Sequence, residues 1–247
     1  MVTAASTRVE GLAAQQMVAN TVEAVESVGK HLLIHFDSGL SLHTHLRMSG
    51  SWHVYPGGEK WHRPPSQARV VLRCDERLAV CFNAPVVELL APGAAAAHPA
   101  LVRLGPDVLD RSLDLAEILR RARRRPPKLA LGELLLDQSV VAGIGNIWRC
   151  EGLFAANLHP WTPQLLIDDG TLSRLVASTA RLMQASLTVA GRPEPRNVYE
   201  RVGRPCRKCG MLIASRRQGP DARMAFWCPA CQPANAKARV AARISPP

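Results

Sequence analysis

Cys206-Arg-Lys-Cys209 and Cys228-Pro-Ala-Cys231 stand eighteen residues apart in the last fifth of the chain. Each Cys-x-x-Cys knuckle sets two sulfurs on one tight turn, which supplies two corners of a tetrahedron, and a hairpin between the knuckles brings the pairs together. Gly203 and Gly210 flank the first knuckle and Pro229 sits inside the second, as tight turns require. The spacing predicts a zinc ribbon over 198–232, with Cys206, Cys209, Cys228 and Cys231 around one structural zinc ion. The competing chemistry is a pair of disulfides in a secreted protein. Against it, the first twenty residues lack a positive start followed by an apolar core, so an intracellular protein with reduced thiols is expected. Cys74, Cys81 and Cys150 lie in apolar or mixed runs and read as small core residues.

The charge balance narrows the partner. Lys and Arg total 31 against 20 Asp and Glu, a formal net charge of +11 over 247 residues. That points to a polyanion, with nucleic acid ahead of an anionic membrane surface. No stretch approaches the length of apolar sequence that crosses a bilayer, so no transmembrane helix is expected.

Upstream of the cysteines the chain changes period once. From Thr21 to about Leu90, alternating or short apolar runs recur, among them Lys30–Phe36, Leu40–Leu46, Arg69–Cys74 and Leu78–Phe82. Turn signals at Asp37-Ser-Gly39, Pro56-Gly-Gly58 and Asp75-Glu76 separate them, which predicts an antiparallel β-sandwich or barrel over 1–92. Ala91 to Pro99 reads as a connector. After Leu104-Gly-Pro-Asp107 the period becomes helical over 101–192. Asp114 and Glu117 form a plausible capping pair for a helix running to Arg125, where Pro126-Pro127 stops it. Further helices are expected over Leu131–Val141, from about Ile147 to Ala156, and from about Asp169 to Ala190. Gly191 to Pro195 reads as a linker, and 233–247 as a disordered tail. The fold class is therefore α+β: sheet domain, helical domain, zinc ribbon.

Gly143-Ile-Gly-Asn146 places a glycine-punctuated turn and an amide at a helix start, an arrangement suited to a DNA phosphate. The arginine run Arg120, Arg121, Arg123, Arg124 and Arg125 is either a DNA-contacting face or a solvated helix end, which the helix dipole already favours. His43 and His45 share a strand face with His35 nearby. No carboxylate or cysteine stands at a matching spacing, so they read as an ordinary polar face.

Seven motifs in order carry a resemblance. They are Gly29-Lys-His-Leu-Leu33, His45-Leu-Arg-Met-Ser-Gly50, Leu104-Gly-Pro-Asp107, Leu135-Leu-Asp-Gln138, Gly143-Ile-Gly-Asn-Ile147, Gly203-Arg-Pro-Cys206 and Phe226-Trp-Cys-Pro-Ala-Cys-Gln232. From about Val22 to Gln232 the chain resembles the formamidopyrimidine-DNA glycosylase and endonuclease VIII family of bifunctional base-excision repair enzymes. The resemblance implies a helix–two-turn–helix element, double-stranded DNA with a damaged base or abasic site as partner, a monomer, and a cytoplasmic, nucleoid-associated location. It implies that Lys30 contacts phosphate beside the lesion and is needed for excision, and that Asn146 grips the same backbone. Arg223 would clamp the flanking phosphates from the hairpin tip, and Met48 would fill the gap left by the flipped base. Phe82-Asn-Ala-Pro85 does not supply the arginine and phenylalanine wedges of oxidised-purine enzymes, which leans toward endonuclease VIII and oxidised pyrimidines.

One departure stands out. The family's nucleophile is the amine of an N-terminal proline, followed by a glutamate that moves protons; the amine attacks the sugar C1′ and a Schiff base forms as the base leaves. This chain begins Met1-Val-Thr-Ala-Ala. The catalytic front is therefore expected to be missing. That leaves three readings: a start placed too far downstream, a short form that binds damaged DNA without cutting it, or a substitute amine at Val2 or Lys30.

Overall fold

The computed structural model describes residues 1–188 and 196–234. The expected linker at 191–195 and the tail from 235 onward lie outside the described residues. The chain divides into two compact units, 1–103 and 104 onward.

The first unit is built from two four-stranded antiparallel sheets. One orders β1 (Val2–Thr7), β6 (Ala68–Cys74), β7 (Arg77–Phe82) and β5 (Ser51–Pro56); the other orders β2 (Val22–Val28), β3 (His31–Phe36), β4 (Ser41–His45) and β8 (Val86–Leu90). Their alternation is what joins them: Ile34, Phe36, Leu42 and Val87 from one sheet share a core with Val2, Val70, Leu72 and Cys81 from the other. Cys81 is fully buried, and burial pushes its thiol up to about 12, as a core cysteine requires. The first strand was not expected: Val2-Thr-Ala-Ala-Ser-Thr7 has little apolar contrast and is a strand because it pairs with β6 from Val2↔Cys74 to Thr7↔Val70. Val2 is fully buried and its N–H donates to the Asn20 carbonyl at 2.8 Å. The connector after β8 holds two single-turn helices, α1 (Ala94–Ala97) and α2 (Pro99–Val102).

In the second unit the helix α3 (Leu115–Arg123) is capped as the sequence predicts, the Asp114 carboxylate accepting from the Glu117 N–H at 2.9 Å. The helix expected over Leu131–Val141 is a correction. Only α4 (Leu131–Leu134) is helical, because Asp137 turns its carboxylate back onto the Ser139 N–H at 3.0 Å and its hydroxyl at 2.5 Å, so the backbone follows an Asx turn instead of another helical turn. Two long helices follow, α5 (Asn146–Ala155) and α6 (Asp169–Thr188). They cross closely at Gly152, where an added Cβ would stand 2.1 Å from the Thr179 hydroxyl. Leu134, Leu135, Val141, Leu153, Leu172 and Val176 fill the core around them.

The cysteine hairpin belongs to this same unit. Strands β9 (Ala214–Gln218) and β10 (Arg223–Trp227) pair in register from Arg223↔Gln218 to Trp227↔Ala214. Ile213, just before β9, and Phe226 of β10 pack with Cys206 and Cys228 against Cys150 and Phe154 of α5. The segment leading into the hairpin is held by Glu151 of α5, a buried carboxylate that accepts from the N–H groups of Asn197, Val198 and Tyr199 at 2.9–3.0 Å.

Candidate nucleic-acid interface and metal centre

The four thiols converge. Sγ–Sγ separations are 3.9 Å for Cys206–Cys231, 3.5 Å for Cys209–Cys228 and 3.5 Å for Cys231–Cys209. Tetrahedral zinc with Zn–S bonds of about 2.3 Å separates its sulfurs by roughly 3.8 Å, so the donor set fits that ion without rearranging the hairpin. Each knuckle also aims a backbone N–H at a sulfur, Lys208 at Cys206 and Cys231 at Cys228, both at 3.4 Å. Burial raises the Cys206 thiol, but the N–H groups of Lys208 and Cys209 and the neighbouring thiols outweigh it and hold the group down to about 7. Burial and the thiols of Cys209, Cys228 and Cys206 push Cys231 up to about 12. Close packing therefore opposes ionising all four thiols together, and a cation at their centre would remove that opposition.

The hairpin tip is fixed from two sides. Residues 219–222 form the turn between β9 and β10, and Gly219 (φ 72°) and Ala222 (φ 48°) take its left-handed positions. Arg223 follows the turn, exposed, with its guanidinium 3.1 Å from the Asp221 carboxylate. Next to it, the Met224 carbonyl accepts from the Asn146 side-chain amide at 3.0 Å and from the Arg149 guanidinium at 2.9 Å. Arg149 is completely buried and also reaches Gln218 at 3.1 Å, whose own amide donates to the Pro160 carbonyl at 2.9 Å. Arg149, Gln218 and Glu151 were missed by the sequence reading, because nothing local marks a charged residue as an interior brace.

Asn146 opens α5, as expected, and Gly145 caps it with no side chain bonded to the helix N-terminus. Such an end presents first-turn N–H groups that no carbonyl of the helix accepts from. Gln138 fixes the approach: its amide donates to the Leu136 and Ile144 carbonyls and its oxygen accepts from the Gly143 N–H, all at 3.0–3.1 Å.

Arg120, Arg123 and Arg124 of the arginine run are exposed, as a solvated helix end would be, yet most of the run is also bonded into the fold. Arg120 and Arg121 pair with Glu117, and Arg121 also donates to the Leu104 and Ser139 carbonyls. Arg123 reaches Asp169, Gln164 and Ile167, and Arg125 reaches Asp137 and Ser139. These arginines bolt α3 to the start of α6 and to the turns after α4.

In the first unit, Lys30 lies in the two-residue turn joining β2 and β3, whose register closes at Val28↔His31, and not within a strand as the sequence reading had it. Gly29 (φ 62°) takes the left-handed position such a hairpin turn demands. The cations are grouped here: burial lowers the pKa of His45, and Arg47 and Lys30 lower it further by their charge. Met48 follows Arg47 (φ 46°) on the loop after β4 and is 88% exposed, so it is no core methionine. Gly50 closes that loop, its N–H bonding the Leu46 carbonyl at 2.8 Å; a Cβ there would meet Leu46 backbone atoms at 2.7 and 2.8 Å. Phe82, by contrast, is completely buried.

The reading of His43 as part of an ordinary polar face is also revised. The structure sets Glu88 directly opposite it on β8, with His98 close by.

Comparison with known proteins matches residues 2–85 to the formamidopyrimidine-DNA glycosylase N-terminal domain and 104–193 to the formamidopyrimidine-DNA glycosylase H2TH domain. A probable endonuclease 8 2 of Streptomyces coelicolor is 37% identical over 91% of this chain and 84% of that protein. A formamidopyrimidine-DNA glycosylase of Rhodopseudomonas palustris is 34% identical over 89% and 86%. The fold matches the Lactococcus lactis formamidopyrimidine-DNA glycosylase solved with FAPY-dG-containing DNA at a TM-score of 0.81, 18% identity, over 94% and 92% of the two chains. Two sheet layers, a helical unit and a four-cysteine hairpin thus define the class, that of base-excision DNA glycosylases. The chain belongs to the formamidopyrimidine-DNA glycosylase and endonuclease 8 family, whose members are DNA glycosylases and abasic-site lyases. Among the described residues, no helix is long and apolar enough to cross a membrane.

Proposed function

We propose that this protein excises oxidised bases, pyrimidines in particular, from double-stranded DNA and nicks the strand at abasic sites through a Schiff base. The observation that carries the reading is the double anchoring of the Met224 carbonyl by Asn146 and Arg149. It makes the uncapped start of α5 and the residue after it on the hairpin one rigid piece, with Arg223 at its edge. Both are phosphate-binding devices: first-turn N–H groups on one side, a guanidinium on the other. Asn146 and Arg223 hold the DNA backbone, and a zinc ion on Cys206, Cys209, Cys228 and Cys231 stiffens the hairpin that presents Arg223.

Lys30 supplies the cation beside the lesion, next to Arg47, and Met48 fills the stack after the base leaves it. Base flipping costs a few kcal/mol, which an exposed apolar side chain on a glycine-closed loop partly offsets. The burial of Phe82 supports the pyrimidine preference, since it leaves no aromatic wedge at the turn after β7. The protein acts as a monomer on DNA in the cytoplasm.

The test is borohydride trapping on a duplex with a single abasic site. A covalent protein–DNA band on a denaturing gel is expected, and peptide mapping of the adduct names the attacking amine. Retained binding to the same duplex with no band would overturn the lyase assignment and leave a damage-binding protein.

A further inference from the structure

On the sheet formed by β2, β3, β4 and β8, Leu42 enters the sandwich core, so His43 and its cross-strand neighbours Leu33 and Glu88 occupy the opposite face. His43 is nevertheless completely buried. Its Nδ1 lies 2.8 Å from Glu88 Oε2, and the segment after β8 brings His98 Nε2 to 3.1 Å from the same oxygen. Candidate ligand atoms of the three residues all lie within 4.8 Å of one another. We propose that His43, Glu88 and His98 form a second metal site, for a divalent ion of the zinc class, within the sheet unit and independent of the DNA-binding reading.

Two imidazole nitrogens and a carboxylate oxygen are a donor set that zinc accepts, with bonds of about 2.0–2.1 Å, so tetrahedral donors sharing one ion stand roughly 3.3 Å apart. Both contacts to Glu88 Oε2 lie within about 0.6 Å of that separation, so small side-chain shifts open the pair around an ion. His43 is preset for the role. With Nδ1 turned to a metal, its proton sits on Nε2, 2.8 Å from His31 Nδ1, the outer-shell acceptor that ligating imidazoles use to fix their tautomer. His98 makes the adjustment. Coordination through Nε2 places its proton on Nδ1, where the ring now accepts a long 3.3 Å bond from the Ala100 N–H. That weak cap of α2 is given up for the metal bond. The Glu88 side chain is 45% exposed, so the ion reaches the site from solvent and an open position remains for water. An occupied site ties β4, β8 and the start of α2 to a single centre.

The experiment titrates the full chain with zinc against a chromogenic chelator, with cobalt(II) absorption in parallel. The thiolate site produces sulfur-to-cobalt charge transfer, and a nitrogen–oxygen site does not. Wild type is expected to take a second equivalent that adds nothing to the charge-transfer band. His98→Ala and Glu88→Gln are each expected to keep the first equivalent and the band, which reports a folded ribbon, and to bind the second at least about tenfold more weakly. Saturation of wild type at one equivalent would overturn the site. So would a second equivalent of unchanged affinity in both variants.

Discussion

The Asn146 side-chain amide donates to the Met224 carbonyl, 3.0 Å away and seventy-eight positions along the chain, and Met224 adjoins Arg223. The residue singled out as a backbone grip is therefore also the residue that sets the position of its partner grip. Replacing Asn146 with alanine should cost about 0.5–1.5 kcal/mol of stability, the net range for one hydrogen bond, because Arg149 still donates to the Met224 carbonyl. Binding to abasic DNA should weaken by more than the same substitution at Arg223. Urea unfolding and fluorescence anisotropy on one set of samples test both; an Asn146→Ala protein that binds as wild type would break the link.

Arg223→Lys should bind less well than wild type, because a lysine lacks the planar fork that meets two phosphate oxygens at once. Arg223→Ala should lower the slope of log affinity against log salt by about one unit, the signature of a lost phosphate contact. Equal slopes for the two proteins would place the guanidinium away from the DNA.

Cys228 is completely buried between the ribbon and α5. Cys228→Ser, or stripping the metal with a chelator, should unfold the hairpin and abolish lesion binding, since structural zinc contributes on the order of 10–16 kcal/mol to small modules that fold around it. The sheet unit has its own core and should keep its β signal in circular dichroism. Full affinity in the serine variant would refute the dependence.

Met48 and Gly50 should separate chemistry from stability. Met48→Ala, at an exposed position, should leave the thermal midpoint within the change expected for about 0.5 kcal/mol while slowing excision. Gly50→Ala should destabilise by roughly 1–3 kcal/mol, since the new methyl meets backbone on both sides. If Met48→Ala excises at the wild-type rate, the wedge role fails.

Burial lowers the pKa of His159, whose ring packs against Trp161 and Trp227. The unfolded chain then binds this proton more readily than the folded one. The contribution to stability is present above the ordinary histidine value of about 6.5 and is lost as the pH falls below it toward the folded value. Unfolding free energies of wild type and His159→Gln should converge toward the acid side of that window; parallel curves would assign the pH dependence elsewhere.

What could be read from the sequence was local. The runs at 30–46 and 69–82 show period two and became β3, β4, β6 and β7, and the two knuckles carry their spacing within four residues each. The Asp114 cap was equally visible. The strand at Val2–Thr7 was not, since alanine, serine and threonine give no contrast and pairing with β6 alone makes it a strand. The arginine run hid its role for a related reason: Asp169, Gln164 and Ser139 reach it only through tertiary folding. His43 and Glu88, forty-five residues apart, meet by strand register, which no spacing rule encodes.

Because Phe226 and Cys228 share their packing with Cys150 and Phe154 on α5, the ribbon has no interior of its own. Such a module cannot be transplanted alone. A chimaera that exchanged hairpins between relatives would have to carry the underlying helix with it. Sequence drift in the ribbon is thereby yoked to drift in α5, and the two should be inherited, swapped and engineered as one cassette.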